Sequence, residues 1–424
     1  MARVLVVTSR LPFPPREGHQ LRSWHLLKAL AARHEVTLLS FVRADDDLAA
    51  ADAMRGILSG LEAFPIASER SRLALGSALA RSLLTREPFV AEKYVSGAMR
   101  ARIAELARDA DVVHFDMLPL MRYADVLPDH VPVVYNAHNV EHVLLATRAK
   151  MHARPGLRPA LEKRFLEGQL PRLQAFEREA CEAASLVLAC SDADADLLQA
   201  MAPGTRVEVV PNGVDLDDNR PAITTDQAAT VDGKLVFVGQ MGWFPNRDGV
   251  DWFLRDVFPR ILAARPQAEF VLVGKADGLD VPANVAARVT IAGFVPDLRP
   301  FVHEAAVYVV PLRAGSGTRL KVLEAMALGK AIVTTSIGSE GIALRHGESA
   351  LYADDPDAFA AAVISLLDAP QERARLGAAA RDCAERHYGW DAIGGDLLGF
   401  YDRLLSEAPA RTRVDALVAS RASA

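Results

Sequence analysis

One stretch, positions 305–342, contains a complete strand–loop–helix–strand pattern. Its apolar, β-branched run Val307–Pro311 predicts a buried strand, a Gly-rich loop follows, and the apolar spacing over Thr318–Leu328 predicts a helix. Gly329 stands where a glycine ends a helix, and a second buried strand follows over Ala331–Thr335. Strands that are joined through a helix run parallel, so the stretch predicts a layered α/β fold.

The loop and the first helical turn of this stretch carry the features of an anion site. Glycines let the backbone approach a ligand closely, and the free N–H groups at the start of a helix attract negative charge. Arg319 and Lys321 place two cations in that turn, where they disfavour the helix unless an anion offsets them. Glu324 follows on the same face, where a carboxylate suits a ribose diol. The competing interpretation is a tight loop with solvated charges and a Lys–Glu pair.

Residues 315–329, GSGTRLKVLEAMALG, resemble the donor-site signature of the GT4-type retaining glycosyltransferases, which have the GT-B fold. Many members carry two glutamates separated by seven residues, and then Ala-Met-Ala-x-Gly. Glu324 matches the second glutamate, whereas Ser316 stands at the position of the first. The chain is similar to a subset with the pattern GxGTRxKxxEAM, and the resemblance points to the sugar transferases of exopolysaccharide assembly.

Two further motifs extend this resemblance over the chain. Residues 211–215, PNGVD, match the segment that joins the two domains in the family, and Pro and Asn-Gly form turns as a hinge requires. Residues 388–390, YGW, resemble the Y-S-W before the last helix. The resemblance implies a GT-B protein, α/β, with two Rossmann-like doubly wound domains that face a cleft. The expected parts are an acceptor-binding domain over 1–205, a nucleotide-sugar-binding domain over 206–387, a return helix on the first domain over 388–407 and a disordered tail over 408–424.

A second polar cluster, residues 136–142, follows the predicted strand Val131–Tyr135. Open α/β sheets bind ligands at the carboxyl ends of their strands, so the cluster is a site candidate. His138 and His142 stand four positions apart and would suit a metal ion if the segment were helical. The resemblance instead maps His138 onto the histidine that contacts the transferred sugar, and it lets Asn139 and Glu141 position the acceptor. It implies no metal and no cofactor.

The donor site departs from the family at two positive positions. Gln240 stands where relatives have an arginine, and Asp248 where they have a lysine, so we expect Arg319 and Lys321 to supply charge to the diphosphate. Arg247 or Arg313 are further candidates for that charge. The full set of donor-binding positions that the resemblance implies is Gly18, Gly239, Asn246, Gly293, Gly315, Ser316, Gly317, Thr318, Gly338 and Glu340. For Gly18, a plain role as the glycine before a helix is equally supported.

Composition excludes several classes of protein. A net charge of −6 argues against a general nucleic-acid binder, and the three cysteines show no metal or redox spacing. No apolar run approaches the ~20 residues that span a bilayer, and the first residues lack the pattern of a signal peptide, so we expect a cytoplasmic protein. Residues 45–110 are predicted to be mostly helical, and their basic face suits either solvent or a peripheral contact with the inner face of the cell membrane.

The resemblance implies a retaining glycosyltransferase that moves a sugar from a nucleotide-sugar donor to a saccharide or lipid-linked acceptor. Family frequency favours UDP, and the motif subset favours exopolysaccharide or cell-surface glycan synthesis. The predicted catalytic residues are His138, Arg319, Lys321 and Glu324; the leaving phosphate is thought to deprotonate the acceptor, so no protein nucleophile is required. Two alternatives are a nucleotide-sugar epimerase of the same fold and a degenerate transferase that acts as a binding module.

Overall fold

The chain folds into two compact units. The computed structural model describes residues 1–15, 18–42, 52–85, 87–151, 157–221, 231–315 and 318–407. Unit 1 comprises Met1–Pro211 and Gly394–Ala424, and unit 2 comprises Asn212–Ile393. Each unit has its own parallel sheet and its own buried apolar core. The predicted tail over 408–424 lies outside the described residues.

Unit 1 is built on a sheet of seven parallel strands in the order β3-β2-β1-β4-β5-β6-β7. The strands are β1 (Arg3–Thr8), β2 (Glu35–Val42), β3 (Gly60–Pro65), β4 (Val112–Asp116), β5 (Val133–Asn136), β6 (Leu186–Ala189) and β7 (Val207–Val209). The strand order reverses between β1 and β4, and ligands of open α/β sheets bind outside the carboxyl ends of strands at such a point.

The helices of unit 1 connect these strands. They are α1 (Gly18–Ala31), α2 (Ala67–Arg70), α3 (Arg72–Leu84), α4 (Phe89–Glu92), α5 (Gly97–Leu106), α6 (Glu141–Met151), α7 (Leu157–Ala183) and α8 (Asp192–Met201), with a 3₁₀ segment at Leu118–Val126. The prediction that residues 45–110 are mostly helical is wrong at β3. This edge strand, GLEAFP, contains Gly, Glu and Pro, which are poor strand formers, so its pairing with β2 rather than its own composition makes it a strand.

Unit 2 has six parallel strands in the order β10-β9-β8-β11-β12-β13. The strands are β8 (Val231–Val238), β9 (Glu269–Val273), β10 (Val289–Gly293), β11 (Ala305–Val310), β12 (Ile332–Thr334) and β13 (Leu351–Tyr352). The order reverses between β8 and β11, and every residue of β11 is buried, as the unbroken apolar run predicts for a strand covered on both faces.

Helices cover both faces of the second sheet. They are α9 (Phe244–Trp252), α10 (Phe258–Ala264), α11 (Arg299–Glu304), α12 (Leu320–Ala327), α13 (Pro356–Asp368) and α14 (Pro370–His387); a π segment lies at Phe253–Val257 and 3₁₀ segments at Ala286–Arg288 and Ile337–Ser339. The helix expected over Thr318–Leu328 is therefore present in a shorter form, with Arg319 at its N-cap position. None of the helices in the described ranges is both long and apolar enough to cross a bilayer.

The last helix, α15 (Trp390–Ser406), belongs to unit 1 from Gly394 onward. Its Tyr401 hydroxyl lies 2.6 Å from Nδ1 of His114 on β4, and both side chains are buried. Burial lowers the pKa of His114 to about 4, so the ring is neutral at ordinary pH. The contact fixes the helix to the sheet through one buried hydrogen bond.

We expect Tyr401→Phe to weaken unit 1 because the change leaves a buried ring nitrogen of His114 without its hydrogen bond. The free energy of unfolding should fall by about 1–3 kcal/mol. Asp402→Asn is the matched control, since Asp402 pairs with Arg33 at a solvated site and its loss should cost less than about 1 kcal/mol. Urea unfolding followed by circular dichroism measures both, and equal midpoints for the two variants would contradict the prediction.

Candidate functional site

Three loops lie side by side at the carboxyl edge of the sheet in unit 2. The Gly239 amide donates to Val273 O at 2.8 Å, and the Gly274 amide donates to Gly293 O at the same distance. Gly274 has φ +133°, and a Cβ there would lie 2.2 Å from Gly239 O. Only glycine allows this approach. The structure thus brings the predicted donor residues Gly239 and Gly293 onto one edge.

Lys321 turns back from the first turn of α12 toward the end of β8. Its Nζ donates to Asn246 Oδ1 at 2.6 Å and lies 4.2 Å from the centre of the Phe237 ring. Asn246 in turn donates from Nδ2 to Gln240 O at 2.9 Å. A Cβ on Gly239 would lie 2.6 Å from Nζ, so the glycine makes room for the ammonium group. The site therefore joins predicted residues that are far apart in sequence.

Burial shifts the pKa values of both Lys321 and Glu324 toward neutral pH. Burial lowers the pKa of Lys321 to about 7; the Glu324 carboxylate opposes this decrease and Arg319 adds to it. Burial also raises the pKa of Glu324 to about 7, and Lys321 opposes that increase. Both groups thus lose much of their preference for the charged form, which a ligand of complementary charge would restore.

Arg319 is the buried cation of the same loop. Its side chain is 5% exposed, and Nη2 lies 3.6 Å from Oε2 of Glu340, whose side chain is largely exposed. Gly315 has φ +139°, and a Cβ there would lie 3.3 Å from Nη2 of Arg319, so Gly315 lies against the guanidinium group. The predicted donor residues Ser316 and Gly317 lie outside the described residues.

The other predicted donor positions flank this loop. Thr318 has a buried hydroxyl, which makes no hydrogen bond with any part of the chain that the structure describes. The Gly338 amide donates to Thr335 Oγ1 at 2.9 Å, and a Cβ on Gly338 would lie 2.5 Å from Thr334 Oγ1. Gly338 is therefore required by the packing of the turn after β12.

The additional cations that we expected are held by protein partners. Arg313 makes a two-point ion pair with Asp248, at 3.1 Å from Nε and 2.8 Å from Nη2. Arg247 donates to the carbonyls of Met241 and Asp277 at 3.0 and 3.2 Å. The charge of Arg313 is offset by its partner, whereas the partners of Arg247 are neutral.

A second cluster lies at the switch point of unit 1, which is the place where the strand order reverses. There β4 pairs with β5, and Asp116 on β4 lies opposite Asn136 on β5. Asp116 accepts hydrogen bonds from Ser23 Oγ at 2.6 Å, Asn136 Nδ2 at 2.7 Å and His138 Nε2 at 2.7 Å. Burial by itself raises the pKa of Asp116. The charge and hydrogen bond of His138 outweigh that effect, and smaller contributions come from His114 and Ser23, so the pKa of Asp116 lies well below its usual range.

A buried arginine balances this carboxylate. Arg22 on α1 is 1% exposed, and it donates from Nε and Nη2 to Asn136 Oδ1 at 3.1 and 2.8 Å. Its Nη1 donates to the carbonyls of Val210 and Pro211 at 2.6 and 3.2 Å. The amide of Asn136 therefore lies between a buried cation and a buried anion, with its oxygen toward Arg22 and its nitrogen toward Asp116.

The predicted acceptor residues lie at the start of α6. Glu177 on α7 accepts from the amides of Glu141 and His142 at 2.7 and 3.2 Å, and its Oε2 lies 2.6 Å from His142 Nδ1. Burial raises the pKa of Glu141 to about 7, Glu177 adds to the increase, and a hydrogen bond from Asn139 opposes it. The structure thus places Asn139 and Glu141 beside each other.

The two histidines that suggested a metal site have different partners. His138 contacts Asp116, and His142 contacts Glu177. Across the described ranges, no group of three His, Cys, Asp or Glu side chains is arranged to hold a metal ion. Gly18 is the first residue of α1, so the helix includes this glycine instead of starting after it.

Sequence reasoning missed Ser23, Asp116 and Arg22. Asp116 ends a buried strand at the switch point, and polar residues at such ends are a signal that was available. Arg22 and Ser23 stand on an ordinary amphipathic helix, so nothing local distinguishes them from solvated residues.

Two family models match the two halves of the chain. The model described as Glycosyltransferase Family 4 matches residues 17–218, and the model described as Glycosyl transferases group 1 matches residues 232–369. Together the matches extend over both units, and the chain belongs to the GT4-type glycosyltransferases. The predicted family is confirmed.

Relatives of known name are similar over part of their length. The phosphatidyl-myo-inositol mannosyltransferase of Mycobacterium tuberculosis is 28% identical over 215 residues, which cover 48% of this chain and 56% of the relative. The D-inositol 3-phosphate glycosyltransferase of Thermobispora bispora is 32% identical over 228 residues, 48% of this chain and 52% of the relative. The chain thus spans about half the length of these relatives.

Solved structures are similar over nearly the whole chain. Anabaena Alr3699/HepE in complex with UDP has a TM-score of 0.64 at 14% identity, over 95% of this chain and 100% of that one. TarM has a TM-score of 0.67 at 10% identity, over 96% and 99%. At these identities the likeness concerns the fold, and the predicted GT-B fold with two parallel α/β sheets is confirmed.

Glu324→Gln tests the electrostatics of the site without a ligand. Because burial raises the pKa of Glu324 from 4.5 to about 7, the folded state holds a proton over this range that the unfolded chain has released. The free energy of unfolding of the native protein should therefore fall as the pH rises from about 4.5 to 7. The variant lacks the part of this fall that comes from Glu324, so its free energy of unfolding relative to native should increase by on the order of 2 kcal/mol across the window.

Chemical denaturation at several pH values measures this difference. Glu372→Gln is the control, because Glu372 lies in a solvated pair with Arg375 that lowers its carboxyl pKa, and its variant should lack the increase. A constant difference between Glu324→Gln and native protein from pH 4.5 to 7 would show that Glu324 titrates normally.

Proposed function

We propose that this chain transfers a sugar, with retention of anomeric configuration, from a nucleotide-sugar bound by unit 2 to an acceptor bound by unit 1. The observation that carries the proposal is the contact of Lys321 with Asn246 and Gly239 at the switch point of unit 2. A cation desolvated at the carboxyl ends of parallel strands suits a diphosphate, which restores its charge.

The residues around Lys321 fit the parts of a nucleotide-sugar. Arg319 supplies a second buried cation two residues earlier, at the N-cap position of α12, so negative charge that develops on the leaving diphosphate would be stabilised by both groups. Glu324 lies one turn further along α12, where its carboxylate would accept hydrogen bonds from a ribose diol. In this mechanism the leaving phosphate removes the proton of the acceptor, and no protein nucleophile takes part.

We propose UDP as the nucleotide and a saccharide or lipid-linked molecule as the acceptor, in exopolysaccharide or cell-surface glycan synthesis. Support for UDP comes from Alr3699/HepE, whose structures contain UDP and UDP-glucose. A Corynebacterium glutamicum relative is named as GDP-mannose-dependent, so GDP is the competing nucleotide. Support for the acceptor class comes from relatives named for phosphatidyl-myo-inositol and for D-inositol 3-phosphate.

Helix α3 supports a peripheral contact of unit 1 with an anionic membrane. Leu73, Leu83 and Leu84 on this helix are 87%, 59% and 87% exposed. The helix, RLALGSALARSLL, contains no acidic residue, and Arg72 at its start is exposed. Exposed leucines beside cations are the pattern by which a helix lies at a lipid interface.

The donor site is tested by nucleotide-dependent thermal unfolding. UDP at about 100 times its dissociation constant should add roughly 2.7 kcal/mol, a shift of several degrees. We expect Gly239→Ala to remove most of the shift, because its Cβ would lie 2.6 Å from Lys321 Nζ. Gly242→Ala is the matched control, since its Cβ would meet open space and the shift should persist.

Comparison of UDP, GDP and ADP identifies the base, and product formation from the matching nucleotide-sugar and a membrane-lipid extract identifies the reaction. Isomerised nucleotide-sugar without an acceptor product would favour the epimerase. Nucleotide binding without any turnover would favour the binding module. A full shift in Gly239→Ala, or no shift with any nucleotide, would contradict the proposed site.

The membrane contact is tested by sedimentation with vesicles. We expect native protein to sediment with vesicles of phosphatidylcholine and phosphatidylglycerol, and the double variant Leu83→Ser, Leu84→Ser to lose at least about tenfold in binding, because two exposed apolar groups are removed. Leu197→Ser is the control, since Leu197 is 45% exposed on α8. Equal sedimentation of native protein and the double variant would contradict the contact.

A further inference from the structure

The start of α9 holds two cations that come from elsewhere in unit 2. Asp248 makes a two-point ion pair with Arg313, at 3.1 and 2.8 Å. Two residues earlier on the same helix, Asn246 Oδ1 accepts a hydrogen bond from Lys321 Nζ at 2.6 Å. The carboxylate offsets the charge of Arg313, whereas the amide binds the ammonium group of Lys321 without adding an opposite charge. The helix thus treats its two cations differently.

The orientation of the Asn246 amide follows from its two neighbours. An ammonium group can only donate hydrogen bonds, and a backbone carbonyl can only accept them. Oδ1 must therefore face Lys321, and Nδ2 must face Gln240 O, to which it donates at 2.9 Å. Asn246 is 7% exposed, so bulk water competes little for these contacts. Protein groups engage the amide at both ends, as expected for a residue that acts on a ligand through Lys321 and not by direct contact.

The other contacts of the Lys321 ammonium group with β8 and the loop after it are neutral. Nζ lies 4.2 Å from the centre of the Phe237 ring, and a Cβ on Gly239 would lie 2.6 Å from it. The charged groups that act on Lys321 are Glu324 and Arg319, and both stand within three residues of it on the chain. Within the part of the chain that the structure describes, β8 and α9 therefore hold the ammonium group through uncharged contacts.

We propose that Asn246 is a positioning residue for nucleotide binding by unit 2: its neutral oxygen holds the Lys321 ammonium group at the end of β8 and leaves its charge to be offset by a diphosphate. This inference rests on the proposed function, in which unit 2 binds a nucleotide-sugar. The ligand class is a nucleoside diphosphate or its sugar ester. Because burial lowers the pKa of Lys321 to about 7, the empty site loses this charge as the pH rises, and binding should weaken.

Titration calorimetry with UDP tests the need for a neutral oxygen. Asn246→Asp replaces it by a carboxylate that would pair with Lys321 as Asp248 pairs with Arg313, so we expect UDP affinity at pH 7 to fall at least about tenfold. Asp248→Asn is the matched control, since it removes a negative charge from the same helix and should not lower the affinity. Asn246→Ala removes the oxygen without adding charge. Native UDP affinity in either Asn246→Asp or Asn246→Ala would overturn the proposal.

The pH profile separates this role from loss of structure and from simple repulsion. Native affinity for UDP should fall about tenfold or more between pH 7 and 8.5, because Lys321 loses its proton over this range in the empty site. The slope should persist in Glu324→Gln, which removes the neighbouring carboxyl whose pKa is also about 7. In Asn246→Asp the carboxylate keeps Lys321 charged, so the affinity should be low but nearly constant. A native slope in Asn246→Asp would contradict the role.

Stability without nucleotide distinguishes failure of this inference from failure of the proposed function. Burial lowers the pKa of Lys321 from 10.5 to about 7, so between these values the unfolded chain holds a proton that the folded chain has lost. The free energy of unfolding of native protein should therefore rise with pH, and Asn246→Asp should lack the part of the rise that comes from Lys321.

Chemical denaturation of both proteins from pH 7 to 10 measures this difference, and circular dichroism confirms that each variant is folded. If native protein binds no nucleotide, the proposed function fails, and the stability comparison still decides whether residue 246 sets the charge of Lys321. Parallel stability curves for native protein and Asn246→Asp would overturn the positioning role.

Discussion

The desolvated ammonium group of Lys321 is the constraint on which the candidate site of unit 2 depends. An ion taken out of water must be hydrogen-bonded or paired, and Lys321 donates one hydrogen bond to Asn246 Oδ1 and makes a cation–π contact with Phe237. Both partners come from β8 and the helix after it, so the start of α12 must lie against the end of β8. Gly239 makes this approach feasible, because any side chain there would occupy the position of the ammonium group.

The switch point of unit 1 contains a buried anion, the carboxylate of Asp116, where unit 2 contains a buried cation. Asp116 obtains one donor each from α1, from β5 and from the loop after β5, and the guanidinium group of Arg22 offsets its charge across the amide of Asn136. In both units the charged group lies at the carboxyl ends of parallel strands, where the strand order reverses. The sheet topology thus supplies the place, and a few side chains with distant partners supply the charge.

How much the sequence could predict follows from the range of each interaction. The strand β11 and the helix α12 follow from local periodicity, and both are present with ends shifted by one or two residues. Strand β3 was missed because its sequence is a poor strand former and pairing alone defines it. The contacts of Asp116 join positions 20 to 93 residues apart, and no local pattern encodes such a pairing.

Family motifs predict which residues form a candidate site, but they do not predict the ionisation states of those residues. The motif placed Lys321 and Glu324 on one face of a helix, but their shifted pKa values arise from burial by the whole unit. The expectation that Arg313 adds charge to the site is weakened by its ion pair with Asp248, a contact that the spacing of the two residues does not suggest. The charge that a side chain carries in a site therefore depends on the residues that surround it in the folded structure. A sequence pattern gives the groups that can bind a ligand, and burial and pairing decide which of them remain available to do so.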